Sequence, residues 1–129
     1  MGLTYVTVKL TALSENGGEP YEDNFLVDTG ATDTMAPSDK LQSAGIKPIG
    51  KMAFELADGR TETYPYGLAR IEFMGEVTAG RVIFGPPGCE PLIGVTALES
   101  VGILVDPVNK TLRRLPAIPL KQLRFRALP

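Results

Sequence analysis

Apolar and polar residues alternate along several short stretches of the chain, which is the pattern of β-strands that bury one face. Residues 3–10 alternate for a full strand length, and a glycine-rich turn follows at residues 16–18. We interpret this strand as the outer strand of a hairpin. Residues 25–27 are apolar at every position and end abruptly at Asp28, which predicts a buried strand that carries a polar loop into the interior.

A second hairpin is predicted in the middle of the chain. Residues 52–56 alternate, and Asp58-Gly59 lies in the turn that follows, at residues 57–60. An Asp-Gly pair between two strand-like stretches is a strong hairpin signal, because glycine readily adopts the left-handed backbone of tight turns. The returning arm, residues 61–66, is polar and should stand partly in solvent. The same reasoning predicts further strands at residues 68–73, 77–84, 103–105 and 111–115.

Two short stretches, residues 37–46 and 96–103, have the composition of helices, and their last six residues are similar to each other. Each carries a glycine where a helix would end in a left-handed residue. Thr96 and Glu99 match a capping box at the start of the second stretch. The similarity is either chance or the mark of two related halves, each consisting of an apolar strand, a loop and a short capped helix.

The length of the chain favours one domain. A chain of 129 residues, 43% of them hydrophobic, can bury one compact core but is too short for two ordinary domains. Its 14 glycines and 11 prolines supply many turns, which favours short strands over long helices. Residues 116–129 contain several prolines and no clean period. We therefore predict one domain at residues 1–115 and a C-terminal tail at residues 116–129.

The charge and the cysteine content of the chain limit the classes of partner and the cellular compartment that we expect. The net charge of −2 is spread along the chain, so no region has the positive field that nucleic acid requires. The basic residues Lys121, Arg124 and Arg126 are interpreted as a solvated terminus. Cys89 is the single cysteine, which excludes an internal disulfide and fits a reducing, cytoplasmic compartment. No apolar run is long enough for a membrane span, and we expect no signal peptide.

The chain contains no histidine. Histidine is the general base of serine and cysteine triads and a common ligand of catalytic zinc. Hydrolysis by this chain would therefore depend on carboxylates. The sequence implies no metal and no cofactor.

The strongest candidate for chemistry is Asp28-Thr29-Gly30, an aspartate at the end of an apolar strand followed by a hydroxyl residue and a glycine. The simpler interpretation is a turn, since all three residue types favour turns. The surrounding residues decide between the two. Residues 26–32 resemble the active-site signature of the aspartic proteases, and the chain length resembles that of the retroviral-type, retropepsin-like branch.

Two further features extend the resemblance over residues 3–115. In that family, two apolar residues and a glycine precede a short helix that packs against the active-site loop, and Leu92-Ile93-Gly94 match this element in order and spacing. A flap hairpin lies between the two elements, in the position of the Asp58-Gly59 turn. The resemblance implies a mainly β, small, closed, barrel-like acid-protease fold with one or two short helices and a flap hairpin.

The resemblance also implies roles for individual residues. Asp28 would be the catalytic aspartate, Thr29 would interlock two active-site loops, and Gly30 would face the substrate. Leu92, Ile93 and Gly94 would support the loop from below. The residues expected to contact substrate are Ala31, Thr32 and Asp33 on the loop and Ala57, Asp58, Gly59 and Arg60 on the hairpin.

This chain departs from the retroviral pattern at two positions. Retroviral enzymes usually carry an acidic residue where Thr32 stands and an arginine where Val95 stands, so the ion pair that braces their dimer is missing. The Ala31-Thr32 form is more similar to that of cellular and bacterial members.

The chain has one Asp-Thr-Gly triplet, whereas the chemistry of the family needs two carboxylates that share a proton. Two copies would therefore meet across a two-fold axis, so we expect a homodimeric endopeptidase that binds an extended polypeptide. The main alternative is a non-catalytic dimerisation or peptide-binding module of the same fold, with Asp28 as a structural hydrogen-bonding residue. A protease domain that is cut from a longer polypeptide is a third interpretation.

Overall fold

The protein was analysed as a computed structural model, which describes residues 4–120 and 122–127. It contains nine strands and two short helices within these ranges. In chain order they are β1 (Tyr5–Ala12), β2 (Tyr21–Val27), β3 (Thr34–Pro37), α1 (Ser38–Ser43), β4 (Gly50–Glu55), β5 (Thr61–Phe73), β6 (Glu76–Gly85), β7 (Leu92–Ile93), α2 (Val95–Ser100), β8 (Ile103–Asp106) and β9 (Thr111–Arg114). The predicted mainly β fold with short helices is confirmed.

Seven strands form one sheet that closes on itself. Their order is β1-β2-β7-β3-β6-β5-β4, and β1 also pairs antiparallel with β5, which completes a ring of strands. Strand β2 pairs parallel with β7, and β3 pairs parallel with β6. These parallel pairs bring residues 26–27 and 92–93 side by side although they are far apart in the chain. The ring agrees with the closed acid-protease fold expected from the resemblance.

Buried apolar residues of the ring strands and of both helices form one hydrophobic core. Every second residue of β1 points inward, as its alternating pattern predicts, with Val8 and Leu10 fully buried. Both helices contribute one fully or almost fully buried leucine, which attaches them to the sheet. The largest fully buried apolar side chains are Val8, Leu10, Phe25, Leu41, Ile71, Val82, Ile93, Leu98 and Ile103.

The hairpin of β4 and β5 turns at Asp58-Gly59, as the sequence predicted. Gly59 has φ +87°, and the turn is closed by a 2.8 Å hydrogen bond from the Leu56 N–H to the Arg60 carbonyl. Met74 and Gly75, with φ values of 52° and 77°, form the two-residue turn between β5 and β6.

Strand β5 is one continuous strand, whereas the sequence predicted two separate strands at residues 61–66 and 68–73. Pro65 and Gly67 weaken the strand pattern locally. The strand nevertheless continues through these residues, because β4 pairs with the first half of β5 and β6 pairs with the second half.

Strand β3 was not predicted, and β2 begins earlier than the predicted residues 25–27. The four residues of β3 are too few for a periodic pattern, and all its partners are distant in sequence. The burial of β2 agrees only partly with the prediction of a buried strand, since Phe25 is fully buried while Leu26 and Val27 are half-buried. The predicted start of the first strand at Leu3 lies outside the described residues.

Both helices end as predicted, whereas the start of α2 differs from the prediction. Gly45 and Gly102 adopt the left-handed conformation, with φ values of 80° and 73°. The capping box at Thr96 and Glu99 is wrong, because α2 begins after Gly94 and no side chain caps it.

Strands β8 and β9 form a separate two-stranded sheet. Asp106 starts the turn between them and accepts hydrogen bonds from Asn109 and from the Val108 N–H. The bonds from the backbone and side chain of Asn109, and then the one from Val108, lower the pKa of Asp106 below its ordinary value of 3.8.

The described residues after Arg114 form no helix and no strand. Leu115 returns to the body through a 2.8 Å hydrogen bond from its N–H to the Gly102 carbonyl. The domain boundary at residue 115 stays a prediction, and Lys121 of the basic cluster lies outside the described residues. None of the helices in the described ranges has the length and apolar character needed to cross a membrane.

Candidate active site

Asp28 follows the last residue of β2, at the point where this strand lies between two neighbours. The N–H of Val27 donates to the Thr4 carbonyl at 2.8 Å, and the N–H of Asp28 donates to the Ile93 carbonyl at 3.1 Å. The backbone of Asp28 is therefore held by the sheet. Its side chain is half-buried.

The loop after Asp28 turns back on the carboxylate. The Gly30 N–H donates to Asp28 Oδ1 at 2.9 Å, and the Ala31 N–H donates to the Asp28 carbonyl at 3.1 Å. A Cβ atom at position 30 would lie 3.3 Å from Asp28 Oδ1, so glycine leaves room for this close approach. The turn fixes the orientation of the carboxylate.

Helix α2 supports the loop from below. Its first N–H groups have no partner within the helix, and two of them donate to loop carbonyls: Val95 to Ala31 at 2.9 Å and Thr96 to Thr32 at 3.2 Å. This contact replaces the side-chain cap that the sequence predicted. The loop and the helix form one hydrogen-bonded unit.

Gly94 allows this contact. A Cβ atom at this position would lie 2.6 Å from the carbonyl oxygens of both Thr32 and Asp33, closer than real Cβ contacts. The absence of a side chain is therefore a steric requirement for the loop. This geometry explains why a glycine follows Leu92 and Ile93.

Thr34 is a residue that the sequence analysis missed. It is 1% exposed, and its Oγ1 accepts a 3.4 Å hydrogen bond from the Gly94 N–H. The bond connects β3 to the start of α2 beneath the loop. A threonine in a short, unpredicted strand gives no recognisable signal in the sequence.

A cleft of about 700 Å³ lies between the Asp28 loop and the β4–β5 hairpin. The loop side contributes both acidic and small residues, and the hairpin side is mainly apolar and aromatic. The lining residues are Asp28, Gly30, Ala31, Thr32, Asp33, Met35, Phe54, Glu55, Leu56, Ala57, Tyr64, Ile83 and Leu92. The cleft is large enough for several residues of a peptide.

The structure brings together most of the residues chosen from the sequence. Those on the loop line the cleft except Thr29, which is exposed beside it. Ala57 and Leu92 also line the cleft, while Ile93 and Gly94 are buried below the loop.

The other three residues chosen on the hairpin lie at its tip and do not line the cleft. Asp58, Gly59 and Arg60 are exposed there. The N–H of Arg60 donates to Asp58 Oδ1 at 3.0 Å and its Nε donates to Oδ2 at 2.6 Å. These bonds, the backbone one first, lower the pKa of Asp58. The charged side chains of the tip therefore bind each other.

The hairpin residues that do line the cleft were missed, apart from Ala57. Phe54 on β4 and Tyr64 on β5 have ring centroids 6.4 Å apart, and Leu56 comes directly after the end of β4. The alternation of residues 52–56 predicted a buried face. It did not show that this face lines a cleft rather than the core.

Asp33 forms a salt bridge with Arg81, which is not among the residues that line the cleft. Its Oδ2 lies 3.8 Å from a guanidinium nitrogen of Arg81. The same guanidinium lies 4.6 Å from the centre of the Tyr66 ring, which is a cation–π contact. Arg81 therefore partly balances the charge of Asp33 from outside the cleft.

A model of a protein family described as aspartyl protease matches residues 7–97, more than half of the chain. The chain belongs to this retropepsin-like aspartyl protease family. The matched region begins in β1 and ends in α2, so it contains the Asp28 loop, the hairpin and Leu92–Gly94. No match to this chain was found among curated proteins.

Membership of the family supports protease function in general.

Cys89 is not among the residues that line the cleft. It is half-buried, and burial raises the pKa of its thiol, followed by the nearby charge of Asp39. Within residues 4–120 and 122–127, no three acidic or cysteine side chains cluster in a way that could hold a metal ion.

Proposed function

We propose that this protein is an aspartic endopeptidase that works as a homodimer, with one Asp28 carboxylate from each copy. The observation that carries the proposal is the position of Asp28 in the cleft, on a loop that β7 and α2 hold by hydrogen bonds. The family match supports protease chemistry, and the single Asp-Thr-Gly triplet requires a second chain to supply the second carboxylate.

Two adjacent carboxylates would share one proton, because like charges so close together are not both ionised. The ionised Asp28 takes a proton from water, whose oxygen attacks the carbonyl carbon of the peptide bond. The protonated Asp28 of the other copy gives its proton to the carbonyl oxygen. Proton transfer to the amide nitrogen then accompanies cleavage of the C–N bond, which leaves a carboxylic acid and an amine. Acid–base catalysis of this kind contributes about 10²–10⁴-fold in rate.

The cleft supports an extended peptide as the substrate. Phe54, Leu56 and Tyr64 offer an apolar surface on one side, opposite the polar loop. A peptide that lies between them would pair through its backbone, and its side chains would alternate between the two sides. The β4–β5 hairpin would act as a flap over this peptide, with the Asp58–Arg60 tip as its end.

The direct test compares Asp28→Asn with the unaltered protein. Asparagine keeps an Oδ1 that accepts the Gly30 N–H, so we expect circular dichroism and thermal unfolding to remain unchanged. Cleavage of a mixed peptide pool, followed by mass spectrometry from acidic to neutral pH, should be abolished. Asp39→Asn, an exposed aspartate on α1, is the matched control and should keep full activity.

A statine-type inhibitor sharpens this test. Such an inhibitor should block cleavage by the unaltered protein and should protect it from thermal unfolding. Full activity in Asp28→Asn would refute the assignment. A folded dimer that cleaves no peptide under any condition would favour the non-catalytic binding module.

A further inference from the structure

The charged residues that line the cleft are all acidic. They are Asp28, Asp33 and Glu55, and no lysine or arginine occurs among the lining residues. Arg81 reaches Asp33 at 3.8 Å from outside the cleft, whereas Asp28 and Glu55 form no salt bridge with any described residue. The cleft therefore offers a negative potential next to an apolar wall.

The C-terminal part of the chain has the opposite character. No aspartate or glutamate follows Asp106. Residues 122–127, which we name the basic-apolar segment, read Gln-Leu-Arg-Phe-Arg-Ala and alternate apolar with cationic side chains. These six residues are exposed and form no helix or strand. Leu123 is 62% and Phe125 90% exposed, and neither Arg124 nor Arg126 forms a salt bridge with a described residue.

Six extended residues span roughly 20 Å. In such a conformation Leu123 and Phe125 point to one side of the backbone, and Arg124 and Arg126 to the other. A cleft with an apolar hairpin on one side and acidic side chains on its rim and loop can accept both sets at once. Exposed apolar side chains of this size also gain from burial, which a solvated tail would not provide.

We propose that the basic-apolar segment of a copy of this chain binds in the cleft as an extended peptide and competes with substrate. This inference rests on the proposed peptide-binding cleft and adds the chemical class of its preferred ligand. Peptides in which basic residues alternate with apolar or aromatic residues should bind more tightly than neutral or acidic peptides. The charge complementarity of the segment and the cleft carries the inference.

The test measures binding without cleavage. The protein is the full chain with Asp28→Asn, which removes hydrolysis, and with Arg124→Glu and Arg126→Glu, which should keep its own segment out of the cleft. The probe is a blocked, fluorescently labelled peptide of residues 122–127, followed by anisotropy. We expect saturable binding at low salt that weakens strongly near 1 M salt, where charges are screened beyond about 3 Å.

Three comparisons make the result specific. The charge-reversed peptide, with glutamate at both arginine positions, should bind at least tenfold more weakly. Glu55→Gln in the protein should weaken binding about threefold, within the range of a single exposed ion pair. Glu15→Gln, an exposed glutamate outside the cleft, should leave binding unchanged.

A second measurement uses the catalytically intact chain. Arg124→Glu with Arg126→Glu should raise the initial rate on a neutral peptide several-fold at low salt, because the competing segment is removed. Equal binding of the peptide and its charge-reversed form, or the same rate with and without the segment's arginines, would overturn the inference. If the peptide does not bind while the unaltered protein cleaves other peptides, this inference fails and the proposed function stands.

Discussion

Gly94→Ala tests how closely the active-site loop depends on the helix beneath it. The new Cβ would lie 2.6 Å from the carbonyl oxygens of Thr32 and Asp33 and 2.7 Å from the carbonyl carbon of Asp33. Ordinary contact begins at 3.4 Å. Because the opposing atoms are backbone, no side-chain rotation can relieve the overlap, and the loop must move by about 0.8 Å, the difference between 3.4 and 2.6 Å.

This displacement has two consequences. Overpacking of a dense interior typically costs about 1–3 kcal/mol, so we expect the free energy of unfolding to fall by roughly 2 kcal/mol. The melting temperature should fall by roughly 8 °C for a chain of this size. The loop carries Asp28, the proposed catalytic residue, and misplacement of a reacting group by about 1 Å can reduce the rate by about 10²-fold. Activity should therefore fall much more than the folded fraction does.

The assay combines thermal unfolding with peptide cleavage at a temperature where both proteins are folded. Gly80→Ala is the matched control, because a Cβ there meets its nearest neighbour, Ile71 Cδ1, at 3.8 Å and should be tolerated. A Gly94→Ala protein with unchanged stability and unchanged kcat would refute the reasoning that the loop rests on this glycine.

Three further predictions concern the fold and the cleft. Thr34→Val keeps the volume of the side chain but removes the acceptor of the Gly94 N–H, so the free energy of unfolding measured in urea should fall by about 1 kcal/mol. An unchanged free energy of unfolding would mean that the 3.4 Å bond is not formed in solution. Hydrogen bonds from Asn109 lower the pKa of Asp106, so the ionised carboxylate stabilises the folded state. This stabilisation should be complete above pH 3.8 and should be lost as the pH falls through the lower pKa of the folded state. The difference in unfolding free energy between Asp106→Asn and the unaltered protein should therefore shrink below pH 3.8, and a difference independent of pH would contradict this. Phe54→Ala should raise KM for apolar peptides about tenfold with a smaller change in kcat, since the ring lines the cleft on the hairpin side and carries no group that transfers a proton. Steady-state kinetics on one substrate measure both constants, and a fall in kcat with KM unchanged would contradict the prediction.

Local signals in the sequence predicted the elements whose causes are local. Asp58-Gly59 predicted the β4–β5 turn because glycine tolerates positive φ, and Gly45 and Gly102 predicted the helix ends for the same reason. The alternation of residues in β1 predicted its buried face. These features depend on neighbours within a few residues.

The features that the sequence did not predict depend on distant partners. Strand β3 is formed by pairing with β6 and β7, and β5 is continuous because two different strands pair along it. The start of α2 was wrong because loop carbonyls, more than 60 residues earlier in the chain, replace a side-chain cap.

Only part of the candidate site was predicted from the sequence. The Asp28 loop and its support came from motif order, whereas Thr34 and the cleft-lining face of the hairpin came only from the structure.

The central claim is that two copies of the chain each provide one Asp28 to a single catalytic centre. The most direct measurement mixes a fixed amount of unaltered protein with increasing amounts of Asp28→Asn protein, allows exchange of subunits, and records the rate of peptide cleavage. If the active unit is a homodimer that assembles at random, a ninefold excess of the variant should reduce the rate to about one tenth, because most unaltered chains then sit in mixed dimers. A rate that stays constant as the variant is added would show that each chain works alone and would contradict the account.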